Sequence, residues 1–377
     1  MPKILLLTAS FGDGHKQVAR ALQEQFLHRQ VETVVLDGFR GSNPHLAKFN
    51  EWIYESTTRY LPFAYGLSYR LTQSLTPTHW LWRVLGWMSS RAILEAVEQL
   101  KPDAVVQLFP DHSLEHIAVS PSGPVLSVVL TDYSIHSRWF HPNVDVYFLP
   151  HPSLERPARV FTESRAKTMA AGIPVRDSIR LSGITQETSS GSEASSGPQR
   201  RLPYCLISTG GRGVFSGLRQ AISAVRRHFP DRSIYVMCGR NTKMQQAVHK
   251  LAEEVPRLHA LPFVENMGEW LRDADFAVMK SGGVTVTECL VSGCPVVVFA
   301  PQAGQEADNA AFLERIGAGY VAREIRELDD VLERLAADNV RAAMSATALQ
   351  NARPAAAERV VEYILQQVSE RSERQVD

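Results

Sequence analysis

Short, continuous runs of apolar residues alternate with helical stretches along the whole chain, and this alternation restricts the fold more than any other feature. In the first half the runs are residues 4–8, 32–36, 104–108, 125–130 and 144–149, with a helix predicted over 15–27. In the second half they are residues 204–208, 234–238, 276–279 and 295–299. Strands that are apolar on both faces and separated by helices form parallel sheets with helices on both sides. The pattern therefore predicts an α/β fold.

Two such domains are expected, because 377 residues exceed what one hydrophobic core usually supports. Residues 181–200 separate the halves and are rich in Ser, Gly and Glu without apolar periodicity, which is typical of a flexible linker. We predict a first domain over residues 1–180 and a second over 201–352. The segment 353–377 is predicted to hold a helix over 354–368 and a frayed tail beyond it.

The overall charge and the cysteines exclude several classes of protein. Forty Lys and Arg residues balance forty Asp and Glu residues, so binding to nucleic acid through net charge is disfavoured. No run approaches the roughly 18 apolar residues of a membrane-spanning helix, and the first apolar run is broken too early for a signal peptide. The four cysteines show neither metal-ligand nor disulfide spacing. These features indicate a cytoplasmic globular protein.

One segment, residues 49–87, interrupts the alternation. It contains four of the six tryptophans and several tyrosines, interspersed with Lys and Arg. Such a mixture is typical of helices that lie on a membrane, because the rings occupy the headgroup level and the cations meet anionic lipid. An aromatic core hairpin or a dimer face would show the same composition, and composition alone does not separate these alternatives. The candidate membrane-facing residues are Trp52, Tyr65, Tyr69, Trp80, Trp82 and Trp87.

The first predicted strand ends in a glycine loop, Gly12-Asp-Gly14-His15, that leads directly into a helix. Glycine lets a ligand approach the backbone closely, and the amides at a helix start favour an anion. The third glycine of the dinucleotide fingerprint is missing, since Gln17 stands there, so a dehydrogenase is disfavoured. His15 could be a simple polar helix-start residue, but its position after a first strand favours a binding or base role.

Two more glycine loops follow predicted strands in the second half. Gly210-Gly211 comes after residues 204–208, and a loop ending in Gly283-Val284-Thr285 comes after residues 276–279, with Glu288 one helical turn further on. Such loops favour a phosphate-bearing ligand. The Glu288 carboxylate could accept hydrogen bonds from both hydroxyls of a ribose, or it could be a solvated helix residue. Gln305, Glu306 and Asn309 at a later helix start are suited to sugar hydroxyls.

A zinc-protease pattern, H-x-x-E-H, is present at His112, Glu115 and His116. A catalytic zinc site needs three protein ligands, and the sequence identifies no third ligand to complete the pattern. The pattern lies next to a proline at the end of a predicted strand. We therefore do not predict a metal site there.

Together these segments resemble the diacylglycerol glycosyltransferases, a family that includes bacterial processive diacylglycerol glucosyltransferases and monogalactosyldiacylglycerol synthases. The family is distantly related to the peptidoglycan lipid-intermediate GlcNAc transferase. The resemblance covers roughly residues 3–322, and its motifs occur in order at residues 7–22, 131–148, 172–176, 238–241, 262–267, 280–288 and 301–313. It implies a GT-B fold, with two facing Rossmann-like domains and a C-terminal helix that crosses back to the first domain.

The resemblance also implies an activity. The expected reaction is inverting transfer of a hexose from UDP-glucose or UDP-galactose to diacylglycerol, which makes glycosyldiacylglycerol at the cytoplasmic face of the membrane. The acceptor lipid is expected on the first domain and the UDP-sugar mainly on the second, with no metal and no other cofactor required. The chain would be a peripheral protein that contacts an anionic membrane surface through residues 49–87. Alternatives are a UDP-GlcNAc-type transferase or epimerase acting on a different acceptor, and a non-catalytic regulator that binds UDP-sugar.

The family motifs imply a role for each matching residue. Phe263 and Val264 would flank the uracil, and Glu288 would hold the ribose. The diphosphate would lie against Gly210, Gly211, Gly283, Val284 and Thr285, and the sugar against Gln305, Glu306 and Asn309. From the first domain, Gly14 and Arg176 would contribute to donor binding. His15 is the first choice for the catalytic base, with Asp132 and His136 as alternatives. Ser281 and Arg212 depart from the family pattern, since Ser281 stands where proline is usual and Arg212 where small or neutral residues are usual.

Overall fold

The computed structural model describes residues 1–9, 13–38, 62–120, 122–162, 166–182 and 203–374. Residue contacts divide the chain into two units. The first consists of Met1–Arg176, Gln302–Gln305 and Arg353–Asp377, and the second of Asp177–Pro301 and Glu306–Ala352. The predicted linker, residues 181–200, lies outside the described residues except for its first two positions, which end a short helix.

The first unit is built on a sheet of six parallel strands in the order β2-β1-β3-β4-β5-β6. The strands are β1 Lys3–Thr8, β2 Glu32–Asp37, β3 Ala104–Gln107, β4 Val125–Val129, β5 Val146–Phe148 and β6 Lys167–Met169. Every residue of β3 and β4 is buried, as expected for central strands covered on both faces. The edge strand β6 was not predicted, because Lys-Thr-Met is only half-buried and lacks an apolar run.

The helices of this unit before residue 177 are α1 Gly14–His28, α2 Pro62–Gln73, α3 Trp80–Leu100 and α4 Glu155–Ala158, with 3₁₀ turns at Ser113–His116, Ser137–Trp139 and Pro152–Leu154. In α1, Val18, Leu22 and Phe26 recur every four residues and are fully buried. This spacing puts them on one face of the helix, which packs on β1 and β2. The packing fixes the direction of α1 and therefore the position of its first turn at the end of β1.

The second unit contains another six-stranded parallel sheet, in the order β12-β11-β10-β7-β8-β9. Its strands are β7 Tyr204–Ser208, β8 Ser233–Met237, β9 Leu258–Leu261, β10 Phe276–Met279, β11 Val296–Phe299 and β12 Gly319–Ala322. The helices are α5 Asp177–Ser182, α6 Leu218–His228, α7 Thr242–Ala252, α8 Met267–Asp273, α9 Gly283–Ser292, α10 Gln305–Ile316, α11 Ile325–Leu335 and α12 Asp338–Asn351. The unpredicted strands β9 and β12 are both edge strands.

The last helix, α13 Ala356–Glu373, belongs to the first unit. It packs on α1, and Arg371 forms a 2.7 Å ion pair with Asp145. A Cβ atom added to Gly172 would lie 2.4 Å from the Cβ of Arg353, so only glycine lets the segment before α13 pass this closely. The predicted return of the C-terminal helix to the first domain is confirmed.

The predicted fraying of the C-terminal tail is wrong for residues 369–373, which continue α13. Within these turns, Ser369 donates to Glu373 at 3.2 Å, and the Ser372 hydroxyl donates to the Val368 carbonyl at 3.0 Å. Local hydrogen bonds and the ion pair of Arg371 stabilise turns that carry few apolar residues.

In each sheet, the strand order reverses its direction along the chain at one place. The reversal lies between β1 and β3 in the first sheet and between β7 and β10 in the second. In open α/β sheets, ligands bind beyond the carboxyl ends of the strands at this switch point. The loops that follow β1 and β3, and those that follow β7 and β10, are therefore the places to look for functional residues.

Candidate active site

In the second unit, the loop after β7 exposes its backbone. Gly210 has φ +77°, and a Cβ atom added there would meet no atom of the described residues within 4 Å. By contrast, a Cβ on Gly213, three residues on, would lie 2.2 Å from the Cys238 carbonyl oxygen. Gly213 is thus required by packing, whereas Gly210 borders open space into which a ligand can approach the backbone.

The loop after β10 leads into α9 through Gly282 and Gly283. No side chain caps the first turn of α9, whose residues are Gly283, Val284 and Thr285. The backbone N–H groups of a helix start have no partner within the helix, and the helix dipole places partial positive charge there. Because β7 and β10 are hydrogen-bonded neighbours, the two glycine loops lie side by side. Together they form a site suited to a diphosphate.

Glu288 lies on α9, one turn after this helix start, and is only 8% exposed. Its neighbours Thr287 and Cys289 are buried as well, and the Thr287 hydroxyl donates to the Gly283 carbonyl at 2.8 Å. A side chain with so little exposure does not lie in bulk water. This arrangement favours the ribose role over that of a solvated helix residue.

The predicted sugar-binding residues of α10 are tied to the loop after β10. The Ser281 hydroxyl donates to the Glu306 carbonyl at 2.6 Å, and the Asn309 amide donates to the Ser281 carbonyl at 2.9 Å. Lys280 Nζ lies 3.5 Å from the Glu306 carboxylate. Proline at position 281 could not donate, so this departure from the family pattern adds a bond between the loop and α10. Asn309 is fully buried, and its amide nitrogen is used by this bond. Gln305, the first residue of α10, is half-buried.

Phe263 and Val264 follow β9 and are both half-buried. The guanidinium carbon of Arg240 lies 4.2 Å from the centre of the Phe263 ring, which is a close cation–π contact. Sequence reasoning included the segment of Arg240 only as part of a family motif and gave this side chain no role. The signal for such a role was its position in the loop that follows β8, the strand next to both β7 and β9.

In the first unit, Gly14 and His15 form the first turn of α1, and His15 is 9% exposed. Burial lowers the pKa of His15 to about 4, so the ring is neutral at pH 7. The ring donates one N–H to the Ala9 carbonyl, while Nε2 has no hydrogen-bond partner among the described residues. Nδ1 is therefore the protonated nitrogen, and Nε2 carries a lone pair that can accept a proton. The ring packs edge-on against Phe109, the second residue after β3, at 5.2 Å.

The geometry removes His136 from the candidate bases. Its Nδ1 accepts the Arg138 backbone N–H at 3.1 Å, so the ring proton is on Nε2, which lies 3.2 Å from the Tyr69 carbonyl oxygen. Both nitrogens are used in caps and packing, and burial lowers the pKa of His136 to about 4. Asp132, the other alternative, is half-buried on the loop after β4. Arg176 is half-buried and immediately precedes α5.

A buried polar cluster follows β3, and sequence reasoning found it only as the H-x-x-E-H pattern. The rings of His112 and His141 lie 4.3 Å apart, and burial lowers the pKa of both, to about 3 for His112. Burial raises the pKa of Asp111 to about 6, although its carboxylate accepts two hydrogen bonds from Ser113. Within the described part of the chain, no three His, Cys, Asp or Glu side chains are grouped so that they could hold a metal ion.

The aromatic residues predicted to face a membrane divide into different environments. On α3, Trp80 and Trp87 are 67% and 73% exposed. Trp82 is only 1% exposed and stacks on His112 at 5.4 Å, so its predicted position on the surface is wrong. The half-buried Tyr69 packs against His136 at 4.6 Å. Tyr65 lies in α2, and Trp52 lies outside the described residues.

Exposed apolar residues Leu67, Leu71 and Val84 accompany the two outward tryptophans on α2 and α3. The exposed Arg70, Arg83 and Arg91 lie on the same two helices. No helix in the described ranges combines the length and the apolar character needed to cross a bilayer. The outer residues of α2 and α3 thus combine apolar and basic side chains.

Comparison with known proteins matches both halves of the chain to glycosyltransferases. Residues 15–175 match the monogalactosyldiacylglycerol (MGDG) synthase family, and residues 205–360 match the glycosyltransferase family 28 C-terminal domain. A processive diacylglycerol beta-glucosyltransferase of Bacillus cereus (strain AH187) is 29% identical over 372 residues, which cover 97% of this chain and 93% of that protein.

Solved structures support the fold. Acinetobacter baumannii MurG has a TM-score of 0.61 and 17% identity, and the similarity covers 97% of this chain and 100% of MurG. A co-structure of S. aureus MnaA with UDP has a TM-score of 0.60 and 12% identity, covering 98% of this chain and 97% of MnaA. The predicted GT-B fold is confirmed. With both halves matched in order, the chain is a glycosyltransferase enzyme that resembles the monogalactosyldiacylglycerol synthases in its first half and the family 28 glycosyltransferases in its second.

Proposed function

We propose that the enzyme transfers a hexose from a UDP-sugar, UDP-glucose or UDP-galactose, to diacylglycerol, with inversion at the anomeric carbon. The assignment of a UDP-sugar as donor rests on the pair of glycine loops after β7 and β10. The uncapped start of α9 lies one turn before the buried Glu288. Open backbone, a helix start and a fixed carboxylate match a diphosphate followed by a ribose. The acceptor is proposed from the relatives named as processive diacylglycerol beta-glucosyltransferases.

In this proposal, the donor unit stabilises the leaving group. As the bond between the anomeric carbon and the phosphate oxygen breaks, negative charge accumulates on UDP. The N–H groups of Gly283, Val284 and Thr285 are oriented before the reaction and stabilise that charge without reorganisation. Because these amides and the helix dipole would carry the charge of the leaving group, the proposal requires no divalent metal. The half-buried Glu306 side chain is proposed to bind hexose hydroxyls, and the fully buried Asn309 holds the β10 loop in place through its bond to Ser281.

His15 is proposed as the base that removes the proton from the acceptor hydroxyl. It has the required form, a neutral ring whose Nε2 meets no hydrogen-bond partner in the described part of the chain. A buried imidazole with a pKa of about 4 is a weak base. Negative charge that develops on an acceptor oxygen next to the ring would favour its protonated form and raise the pKa.

Action at a membrane follows from the nature of the acceptor, since diacylglycerol remains in the bilayer. The exposed Trp80, Val84 and Trp87 of α3, with Arg83 beside them, are proposed as the contact with the cytoplasmic face of an anionic membrane. Tryptophan prefers the headgroup level, and arginine is attracted to anionic lipid. The enzyme would therefore be peripheral, held by the outer residues of α3.

The decisive experiment measures UDP release from UDP-glucose, UDP-galactose and UDP-GlcNAc, each with and without diacylglycerol in anionic vesicles. The proposal expects release with UDP-glucose or UDP-galactose that depends on diacylglycerol and persists in EDTA, and a glycolipid of inverted anomeric configuration by NMR. Release or sugar isomerisation independent of lipid would support a different acceptor or an epimerase. UDP-sugar binding without any turnover would support a regulator. Either result would overturn the proposal.

A further inference from the structure

The loop that follows β8, residues 238–241, supports the proposed diphosphate loop from behind. The Arg240 backbone N–H donates to the Gly211 carbonyl at 3.0 Å, and the Asn241 amide donates to the Gly213 carbonyl at 2.8 Å. A Cβ atom added to Gly239, which has φ +58°, would lie 2.4 Å from the Gly210 carbonyl oxygen. The two loops are therefore in direct backbone contact, and Gly210 cannot move independently of Arg240.

The side chain of Arg240 extends in the other direction, to the loop that follows β9. Its guanidinium carbon lies 4.2 Å from the centre of the Phe263 ring. At this distance the cation is in contact with one face of the ring, and the contact is attractive because the ring face is electron-rich. One residue thus links the loop that carries Gly210 and Gly211 to the loop that carries Phe263.

We propose that Arg240 is the positioning residue for recognition of the donor base. By covering one face of Phe263, the guanidinium holds the ring in a single orientation and leaves the opposite face and edge for a flat nucleobase. The inference rests on the proposed function, with a UDP-sugar as donor, and on the family resemblance, which implies that Phe263 flanks the uracil. In this inference Arg240 acts through Phe263 rather than through a contact with the phosphates.

The chemistry explains why arginine suits this position better than lysine. A guanidinium is planar and weakly hydrated, and it stacks on an aromatic face over its whole area, whereas an ammonium is a compact and strongly hydrated charge. Lysine would keep the positive charge near the diphosphate loop but would hold the ring less well. A direct phosphate contact and a stacking role therefore predict different results for Arg240→Lys.

The test compares binding of UDP, uridine and pyrophosphate to the full-length protein by calorimetry, with uridine measured in competition with UDP. The variants are Arg240→Ala, Arg240→Lys, Phe263→Leu and the double variant Arg240→Ala/Phe263→Leu. Lys243→Ala is the matched control, since Lys243 is exposed on α7 three residues further on. It removes one positive charge and is not placed at the ring.

For Arg240→Ala we expect about three- to tenfold weaker binding of UDP and of uridine alike, and unchanged binding of pyrophosphate. Arg240→Lys should recover only a small part of the loss, because an ammonium stacks poorly on a ring, whereas near-complete recovery would indicate a charge contact and overturn the inference. In the Phe263→Leu background, Arg240→Ala should cause no further loss, because the partner ring is absent. With the UDP-sugar as substrate, KM should rise while kcat stays near the wild-type value.

Unchanged uridine binding in Arg240→Ala would overturn the inference, as would a loss that adds fully to that of Phe263→Leu. Weaker binding of UDP and pyrophosphate with normal uridine binding would overturn it in favour of a direct phosphate contact. A wild-type protein that binds neither UDP nor uridine would refute the proposed function itself. The two failures are thus distinguishable.

Discussion

Burial makes the His15 imidazole neutral at physiological pH, and the bond to Ala9 determines which ring nitrogen keeps its lone pair. His136 is equally buried, but its lone pair is used by the Arg138 backbone N–H. Both histidines follow strands of one sheet, so their positions in the sequence do not separate them. The hydrogen-bond partners distinguish the two histidines, and they favour His15 as the base.

Replacing His15 by alanine should lower kcat by about 10² or more, because general base catalysis typically contributes 10²- to 10⁴-fold. The measurement is diacylglycerol-dependent UDP release at saturating donor. His28→Ala is the matched control, since His28 is the exposed last residue of the same helix and should leave the rate unchanged. A near-wild-type rate for His15→Ala would remove His15 as the base.

Replacing Glu288 by glutamine should raise KM for the UDP-sugar by about tenfold or more, because the ribose would lose hydrogen bonds to a charged acceptor, each worth about 1.5–3 kcal/mol. Calorimetry with UDP should show the same loss of affinity. Glu314→Gln, an exposed residue of α10, should have no effect. Donor affinity that is identical in Glu288→Gln and wild type would rule out the ribose role.

At the scale of the element, α3 has one buried face and one exposed face. Trp82 and Ile93 are buried and attach the helix to the first unit, whereas Trp80, Val84 and Trp87 are exposed. Trp80, Val84 and Trp87 are spaced by four and three residues, so they share one side of the helix. The buried residues fix the helix and present this exposed row outward.

The variant Trp80→Ala/Trp87→Ala should bind anionic vesicles at least about tenfold more weakly in flotation assays, because each large side chain contributes about 1.5–3 kcal/mol on burial. Trp82 is left intact, since its removal would open a cavity in the core. Val214→Ala/Leu349→Ala, which removes two exposed apolar side chains of the second unit, is the control. Undiminished flotation of the tryptophan variant would refute membrane contact through α3.

At the scale of the whole molecule, buried histidines couple stability to pH. Burial lowers the pKa of His15 and His136 to about 4 and of His112 to about 3, and holds that of His141 well below its usual 6.5. Below pH 6.5 the unfolded chain binds protons that the folded chain does not. The free energy of unfolding therefore decreases as the pH is lowered. Asp111 opposes this below about pH 6, since its raised pKa means that the folded state takes up a proton first.

Each buried histidine should therefore cost up to about 1.4 kcal/mol of stability per pH unit between about pH 6.5 and pH 4. Urea unfolding at about pH 7.5 and about pH 5 measures the difference. His112→Gln should reduce the difference in the free energy of unfolding between the two pH values by the contribution of one histidine. His28→Gln, at an exposed site, should leave this difference unchanged. Equal pH dependence in His112→Gln and wild type would contradict the role of His112.

The sequence was most informative where burial is complete. Apart from the edge strand β2, the strands predicted from apolar runs are central or well-covered strands, and β7 and β10 were predicted at their observed bounds. The three unpredicted strands, β6, β9 and β12, are all edge strands, where fewer positions face the core and the apolar run is short or interrupted. The glycine loops were found because glycine at the end of a strand is itself the signal.

What the sequence determined by itself was local: which segments are strands, which loops follow them, and that the chain belongs among glycosyltransferases. Only the tertiary structure decided that Trp82 is buried while Trp80 and Trp87 are exposed, and that Arg240 lies on Phe263. It also decided that both ring nitrogens of His136 are used, whereas Nε2 of His15 has no partner within the ranges that the structure describes. The physical reason is that burial and hydrogen bonding depend on partners far away in the sequence, whereas strand formation and glycine conformation depend mainly on neighbouring residues.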